Sequence, residues 1–230
     1  MTDPRDPASR APAQSGVPAR WAGLRASHDV DSFVDLCATA HANAPEHAET
    51  GTQYAEALGL AGRWDEKLAL LTRLHALHPR QVSVNISLGI EHLIRGDYRK
   101  GWPHFAYRTA KARSMRSIGG LGPERRWKGG TLAGQRLMLK SEQGLGDAIQ
   151  FVRYAILARR AGAHPLIDVH VPLRRLFGQS PAIEHVLTGN SQVEIHSWLP
   201  MLDLVPLFTP TRADIPWPGP YIGVPADNRP

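Results

Sequence analysis

The chain has 230 residues, 42% hydrophobic and 21% charged, the balance of a globular protein with room for two modest domains rather than a disordered or fibrous one. No apolar run approaches the roughly 20 residues that span a bilayer, and the start lacks the apolar core of a secretory signal, so the expected address is cytoplasmic. The net charge of +6 invites a nucleic-acid reading, but the basic residues are dispersed apart from 108–116, 125–128 and Arg159/Arg160. No nucleic-acid motif accompanies them, so solvated faces are expected and nucleic acid is the weakest of the candidate partners.

Residues 1–20, rich in Pro and poor in large apolar side chains, are expected to form a disordered tail. From 21 to 115 the pattern is helical. The single Cys37 excludes an intrachain disulfide and any multi-cysteine metal site. Beside Phe33, Val34 and Leu36 it reads as a small buried thiol rather than a nucleophile.

The helical stretch repeats. Pro45 and Pro79 are 34 residues apart, as are Gly62 and Gly96, and Trp64 and Tyr98. This is the tetratricopeptide period, a helix-turn-helix unit in which Gly ends the first helix and the aromatic two residues on begins the second. Leu88-Gly89 supplies a Leu-Gly pair where two helices approach closely. The match has departures: Lys67 and Gly101 stand where a small Ala is usual, and the first unit has His28 in place of the turn Gly. Three units are expected, the first degenerate. Such arrays hold a protein or peptide in a concave groove; for Tyr54, Asn85 and His92, plain packing or exposure is the competing reading.

Residues 116–135, Gly-rich and basic, read as a linker. Beyond it, 137–140 is strand one and 148–160 helix one, with Ile149, Val152 and Ile156 on one face. A second strand is expected at 166–171, a short helix at 173–177, and further strands at 183–187 and 193–197. Alternation of strand and helix predicts a parallel sheet with right-handed crossovers. The predicted fold class is therefore multidomain: all-α tetratricopeptide hairpins, then an α/β Rossmann-like parallel sheet over 136–230.

Strand one runs into Ser141-Glu-Gln-Gly-Leu-Gly-Asp147. Ligands of such layers collect beyond the carboxyl ends of the strands. Taken with Gly101-Trp102, Tyr107-Arg108 and Trp127-x-Gly-x-x-Leu-x-Gly134, this string resembles bacterial tetratricopeptide proteins that carry a glycosyltransferase-like domain. That domain is similar to the N-terminal half of the two-domain GT-B enzymes related to lipopolysaccharide heptosyltransferases. Trp217-Pro-Gly-Pro-Tyr221 is also similar, so the resemblance covers roughly 96–221.

The resemblance implies that Asp147 is the catalytic base for an acceptor hydroxyl. It also implies that Gly144 and Gly146 let a bulky acceptor reach the backbone, and that Glu142, Gln143 and His196 line the substrate site. Each has a plainer reading. Asp147 is a good helix N-cap, the glycines suit a strand-to-helix turn, and Glu142 and Gln143 suit turn stabilisation. Glu194 replaces a family Asp, and the segment 197–203 departs from the family's pattern.

His75, His78 and His104 show no metal spacing with carboxylates, so no metal site is expected. In GT-B enzymes the second half holds most of the sugar nucleotide. The chain ends at Pro230, so no cofactor is expected to bind here, and a sugar nucleotide serves as donor only if a second half is supplied. Two functions remain: an incomplete glycosyltransferase acting on a glycan or protein acceptor, and a non-catalytic scaffold working through the repeats.

Overall fold

The computed structural model describes residues 29–111, 121–180, 183, 185–187, 193–217 and 219–223. The expected tail, His28 and the first part of the degenerate unit lie outside them. The chain divides into two compact units, Met1–Leu88 and Gly89–Pro230.

The first unit is built from α1 (Val30–Asn43), α2 (Ala48–Leu60), α3 (Trp64–Leu77) and the start of α4 (Val82–Ile94). Asp29 caps α1 by accepting the Ser32 N–H at 3.1 Å, and hydrogen bonding from the Ser32 side chain first, then from this N–H, holds its carboxyl below the usual carboxylate range. Successive helices pack as hairpins, with α1 on α2 and α2 on α3. Phe33, Val34, Cys37 and Ala57 form one apolar cluster; Leu58, Leu70, Leu71, Leu74, Val84 and Leu88 belong to another.

The turn glycines behave as their spacing predicts. Gly62 takes φ +73°, and the N–H groups of Gly62 and Arg63 reach back to the carbonyls of Gly59 and Leu58 at 3.2 and 2.9 Å. Gly96 takes φ +79°, and Gly96 and Asp97 bond to Leu93 and His92 at 3.0 and 2.9 Å. Each pair satisfies carbonyls that a helix end leaves open, in a conformation that favours Gly. Trp64 and Tyr98 then start α3 and α5 (Tyr98–Phe105). The helical hairpins of the N-terminal region are thus established.

In the second unit, α4 and α5 touch through Gly89. A Cβ there would meet the Phe105 N at 2.5 Å, its Cα at 2.9 Å and the Gly101 O at 3.0 Å, all backbone atoms. A short helix, α6 (Arg108–Lys111), follows. The sheet has three parallel strands in the order β2-β1-β3, with β1 at Arg136–Lys140, β2 at His164–Asp168 and β3 at Ser197–Pro200. The expected α then α/β layout is present at this level.

Several bounds differ from the expectation. Helix one begins at Leu145 and breaks at Val152, giving α7 (Leu145–Phe151) and α8 (Arg153–Arg160). Of 183–187, a single parallel bridge at Val186 pairs with Ile167, while Glu184 lies outside the described residues. The fourth expected strand is displaced toward the carboxyl end. The alternating Val193-Glu-Ile-His196 precedes β3, and the fully buried Ser197-Trp-Leu-Pro200 forms it. A parallel strand covered on both faces reads as a continuous apolar run rather than an alternation.

Part of the stretch read as a linker also pairs with the sheet. The Trp127 N–H donates to the Trp198 O at 3.0 Å and Arg126 bridges Trp198, whereas 112–120 lie outside the described residues. Leu137, Leu139, Val152, Tyr154, Phe177 and Leu199 form the core beneath β1, together with α9 (Val171–Gly178) and α10 (Val205–Phe208).

Candidate functional site

The carboxyl end of β1, the central strand, is where the sequence places its candidate site. Gly144 is the residue that caps α7, and Asp147 occupies the third helical position, which corrects the N-cap reading of Asp147. Its Oδ2 accepts the Gly144 N–H at 3.0 Å. Only this half of a capping box forms, because glycine has no side-chain oxygen to return the bond. Asp147 remains half-buried, next to the exposed Gly144, Leu145 and Gly146.

Neither glycine is demanded by backbone conformation. Gly144 is extended, at φ −69°, and Gly146 is absent from the positive-φ positions among the described residues. A Cβ on Gly146 meets nothing within 4 Å, and one on Gly144 meets only the Asp147 Oδ2, at 3.4 Å. Glycine is tolerated at a helix N-cap, but inside a first turn it costs about 1 kcal/mol against Ala. The turn-making reading therefore fails for Gly146. Bare backbone beside a carboxylate is what these two residues supply.

Glu142 is placed elsewhere. Its side chain is 3% exposed, and Oε1 accepts from Arg108 Nη2 at 2.7 Å and Nε at 3.1 Å. Arg108 Nη2 also donates to Asp203 Oδ1 at 2.7 Å, and Arg126 pairs with Asp203 Oδ2. Burial pushes the Glu142 carboxyl above its ordinary range, and Arg108 pulls it partly back. A carboxylate sealed in this cluster is out of reach of a solute, so Glu142 is not a direct acceptor contact. Its Oε2 is buried without a hydrogen bond of ordinary geometry.

Gln143 stays at the edge, half-buried, and its carbonyl accepts from His170 Nε2 at 2.8 Å. This bond ties the turn after β1 to the turn after β2. Lys140 and Asp168, partners in strand register, meet at 2.6 Å beside it. His196 lies at the other end of the sheet, where its N–H donates to the Arg136 O at 2.9 Å and its Nδ1 accepts the Arg136 N–H at 3.2 Å. The length of β1 alone, roughly 13–16 Å at about 3.3 Å per residue, lies between that end and the carboxyl end of the strand. Expecting the strand four residues early put His196 at the wrong end.

The charged cluster left no local sign in the sequence, since Arg108 finds its partners 34 and 95 residues away. Tyr221 of the closing motif donates to the Ile149 O at 3.1 Å, while Trp217 is 77% exposed. Cys37 is fully buried, and burial followed by the charge of Glu56 raises its thiol to about 11. Among the described residues no group of three or more His, Cys, Asp or Glu side chains is arranged to hold a metal ion. Nor is any described helix long and apolar enough to cross a membrane. Comparison with protein-family models and with characterised proteins finds no match for this chain.

Proposed function

We propose that the second unit is the acceptor-side half of a GT-B-type glycosyltransferase-like fold, and that the preceding hairpins are tetratricopeptide units. On this reading Asp147 takes the proton of an acceptor hydroxyl as its oxygen attacks the sugar carbon and the nucleotide leaves. Gly144, Gly146 and Gln143 border the acceptor, a glycan or a protein. The sugar nucleotide is presented by a second half supplied from outside 136–230, and the work is cytoplasmic. The observation that carries the reading is Gly146: an exposed helical glycine with open space around it, one residue before the carboxylate, has no structural reason to lack a side chain.

The test uses nucleotide release from a panel of sugar nucleotides, with the purified chain alone and with the product of the adjacent reading frame. Asp147→Asn should abolish release. Gly146→Ala should raise helix stability by about 0.5–1 kcal/mol yet lower release. Turnover that survives Asp147→Asn, or no turnover with either preparation, sinks the proposal.

A second reading, a non-catalytic scaffold, is favoured by a cavity of about 390 Å³ within the first unit, bordered by His41, Tyr54, Glu66, Ala69 and Arg73. There a protein or peptide segment would lie against the hairpins. A co-purifying partner released by Ala69→Trp, with no nucleotide turnover in any preparation, would select it.

A further inference from the structure

A second cavity, of about 410 Å³, lies wholly within the second unit, and Asp147 is not among the residues that line it. Its walls are apolar: Trp102 from α5, Trp127 from the segment beside β3, and Leu207 from α10. Charge is confined to four side chains of the lining, of which Asp203 alone is acidic. Both Asp203 oxygens are already taken, Oδ1 by Arg108 and Oδ2 by Arg126, and Arg108 is further matched by Glu142. Two carboxylates, Glu142 sealed and Asp203 15% exposed, thus neutralise the two arginines. Lys128, exposed and without an ion pair to any described residue, leaves one uncompensated positive charge at the cavity.

Arg126 reinforces that charge. It is 33% exposed and stacks over the Trp198 ring at 5.8 Å, so it is held in place while keeping donors toward solvent. The volume falls in the range that encloses a small organic molecule, and hydrophobic walls with a few placed charges are the usual make-up of such a site.

We infer that this cavity is a binding site for a small amphipathic monoanion, an aromatic or branched apolar body carrying one carboxylate or equivalent acid. The body fills the space between Trp102, Trp127 and Leu207. The acid meets Lys128, with Arg126 behind it. Because these ion pairs are complete without the ligand, the site is charged and shaped before anything binds.

The test titrates the full chain with 8-anilinonaphthalene-1-sulfonate, followed by its fluorescence, and with benzoate and neutral benzamide by calorimetry. One saturable sulfonate site is expected, displaced by benzoate and not by benzamide. Lys128→Glu, an exposed change, should weaken binding at least tenfold, and Leu207→Trp, which fills the mouth, should abolish it. Circular dichroism on both variants should show unchanged folding. Sulfonate affinity should also drop several-fold between 0.15 and 1 M salt, a range over which screening of exposed charges becomes short-ranged. Absence of saturable sulfonate binding, equal affinity for benzoate and benzamide, or wild-type binding by both folded variants overturns the inference.

Discussion

Arg108 and Glu142 meet through two N–H groups on one carboxylate oxygen, at 2.7 and 3.1 Å, with neither side chain more than 6% exposed. This contact fastens the start of α6 to the carboxyl end of the central strand. Removing one member of a buried pair strands the other, at a cost of about 3–5 kcal/mol, whereas replacing both with apolar groups is far milder. Arg108→Met should therefore lower the urea unfolding free energy by about 3 kcal/mol or more. Arg108→Met combined with Glu142→Met should recover much of that loss. A single variant as stable as the wild type would show that the pair contributes nothing.

Glu142 also predicts a pH dependence. Burial raises its carboxyl above the ordinary 4.5, against the counter-pull of Arg108, with Asp203 adding to the rise. The folded state then binds more protons than the unfolded one just above pH 4.5. This contribution to stability is full below the unfolded value and is lost as pH rises through the folded value. The difference in unfolding free energy between wild type and Glu142→Gln should shrink or change sign between pH 4.5 and 7.5. A difference constant with pH would refute the burial argument.

Local signals were legible in the sequence; distant ones were not. The glycines 34 residues apart and the apolar run before Ser141 announce hairpins and a first strand, because helix ends and strand cores are set by neighbouring residues. The sequence points to a strand ahead of β3 because Val193-Glu-Ile-His196 carries the alternation of a half-exposed strand. The true strand, Ser197–Pro200, is buried on both faces and has no period to read. The pairing of Arg108, Arg126 and Asp203 leaves no such signal, because an ion network between distant segments is defined only once the chain has folded. Gly146 shows the converse. Its presence is plain in the sequence, but that the turn does not need it is a property of the folded neighbourhood.

Gly89, inside α4, and Gly96, just past its end, separate two reasons for glycine. At Gly89 a Cβ would strike the backbone of Phe105 and Gly101 within 3.0 Å, so α4 and α5 must part. At Gly96 there is nothing within 4 Å, and only the φ of +79° resists a side chain. Gly96→Ala should cost about 1 kcal/mol. Gly89→Ala should cost about 2–3 kcal/mol, the upper range for overpacking. Equal losses in chemical denaturation would mean that the helices close less tightly than their contacts indicate.

Cys37 should be silent toward thiol reagents. It is fully enclosed with Phe33, Val34 and Ala57, and burial raises its thiol to about 11, so thiolate is scarce at pH 8 and inaccessible when formed. Reaction with a chromogenic disulfide should be undetectable over minutes in buffer and immediate in denaturing urea. Rapid labelling of the native chain would reopen the nucleophile reading.

His41 makes the first unit sensitive to mild acid. It is buried, its Nε2 accepts from Arg73 Nη2 at 2.8 Å, and its ring lies 5.7 Å from that of Tyr54. Burial first, and then the positive charge of Arg73, lower its pKa below the ordinary 6.5. Between the folded value and 6.5 the unfolded chain binds more protons, so stability rises with pH across that window and is lost as pH falls through it. His41→Gln cannot titrate and still offers Arg73 an acceptor. Urea midpoints measured from pH 7.5 down to 5 should fall more steeply for the wild type than for this variant. Parallel curves would mean that His41 is already solvated enough to take its proton without penalty.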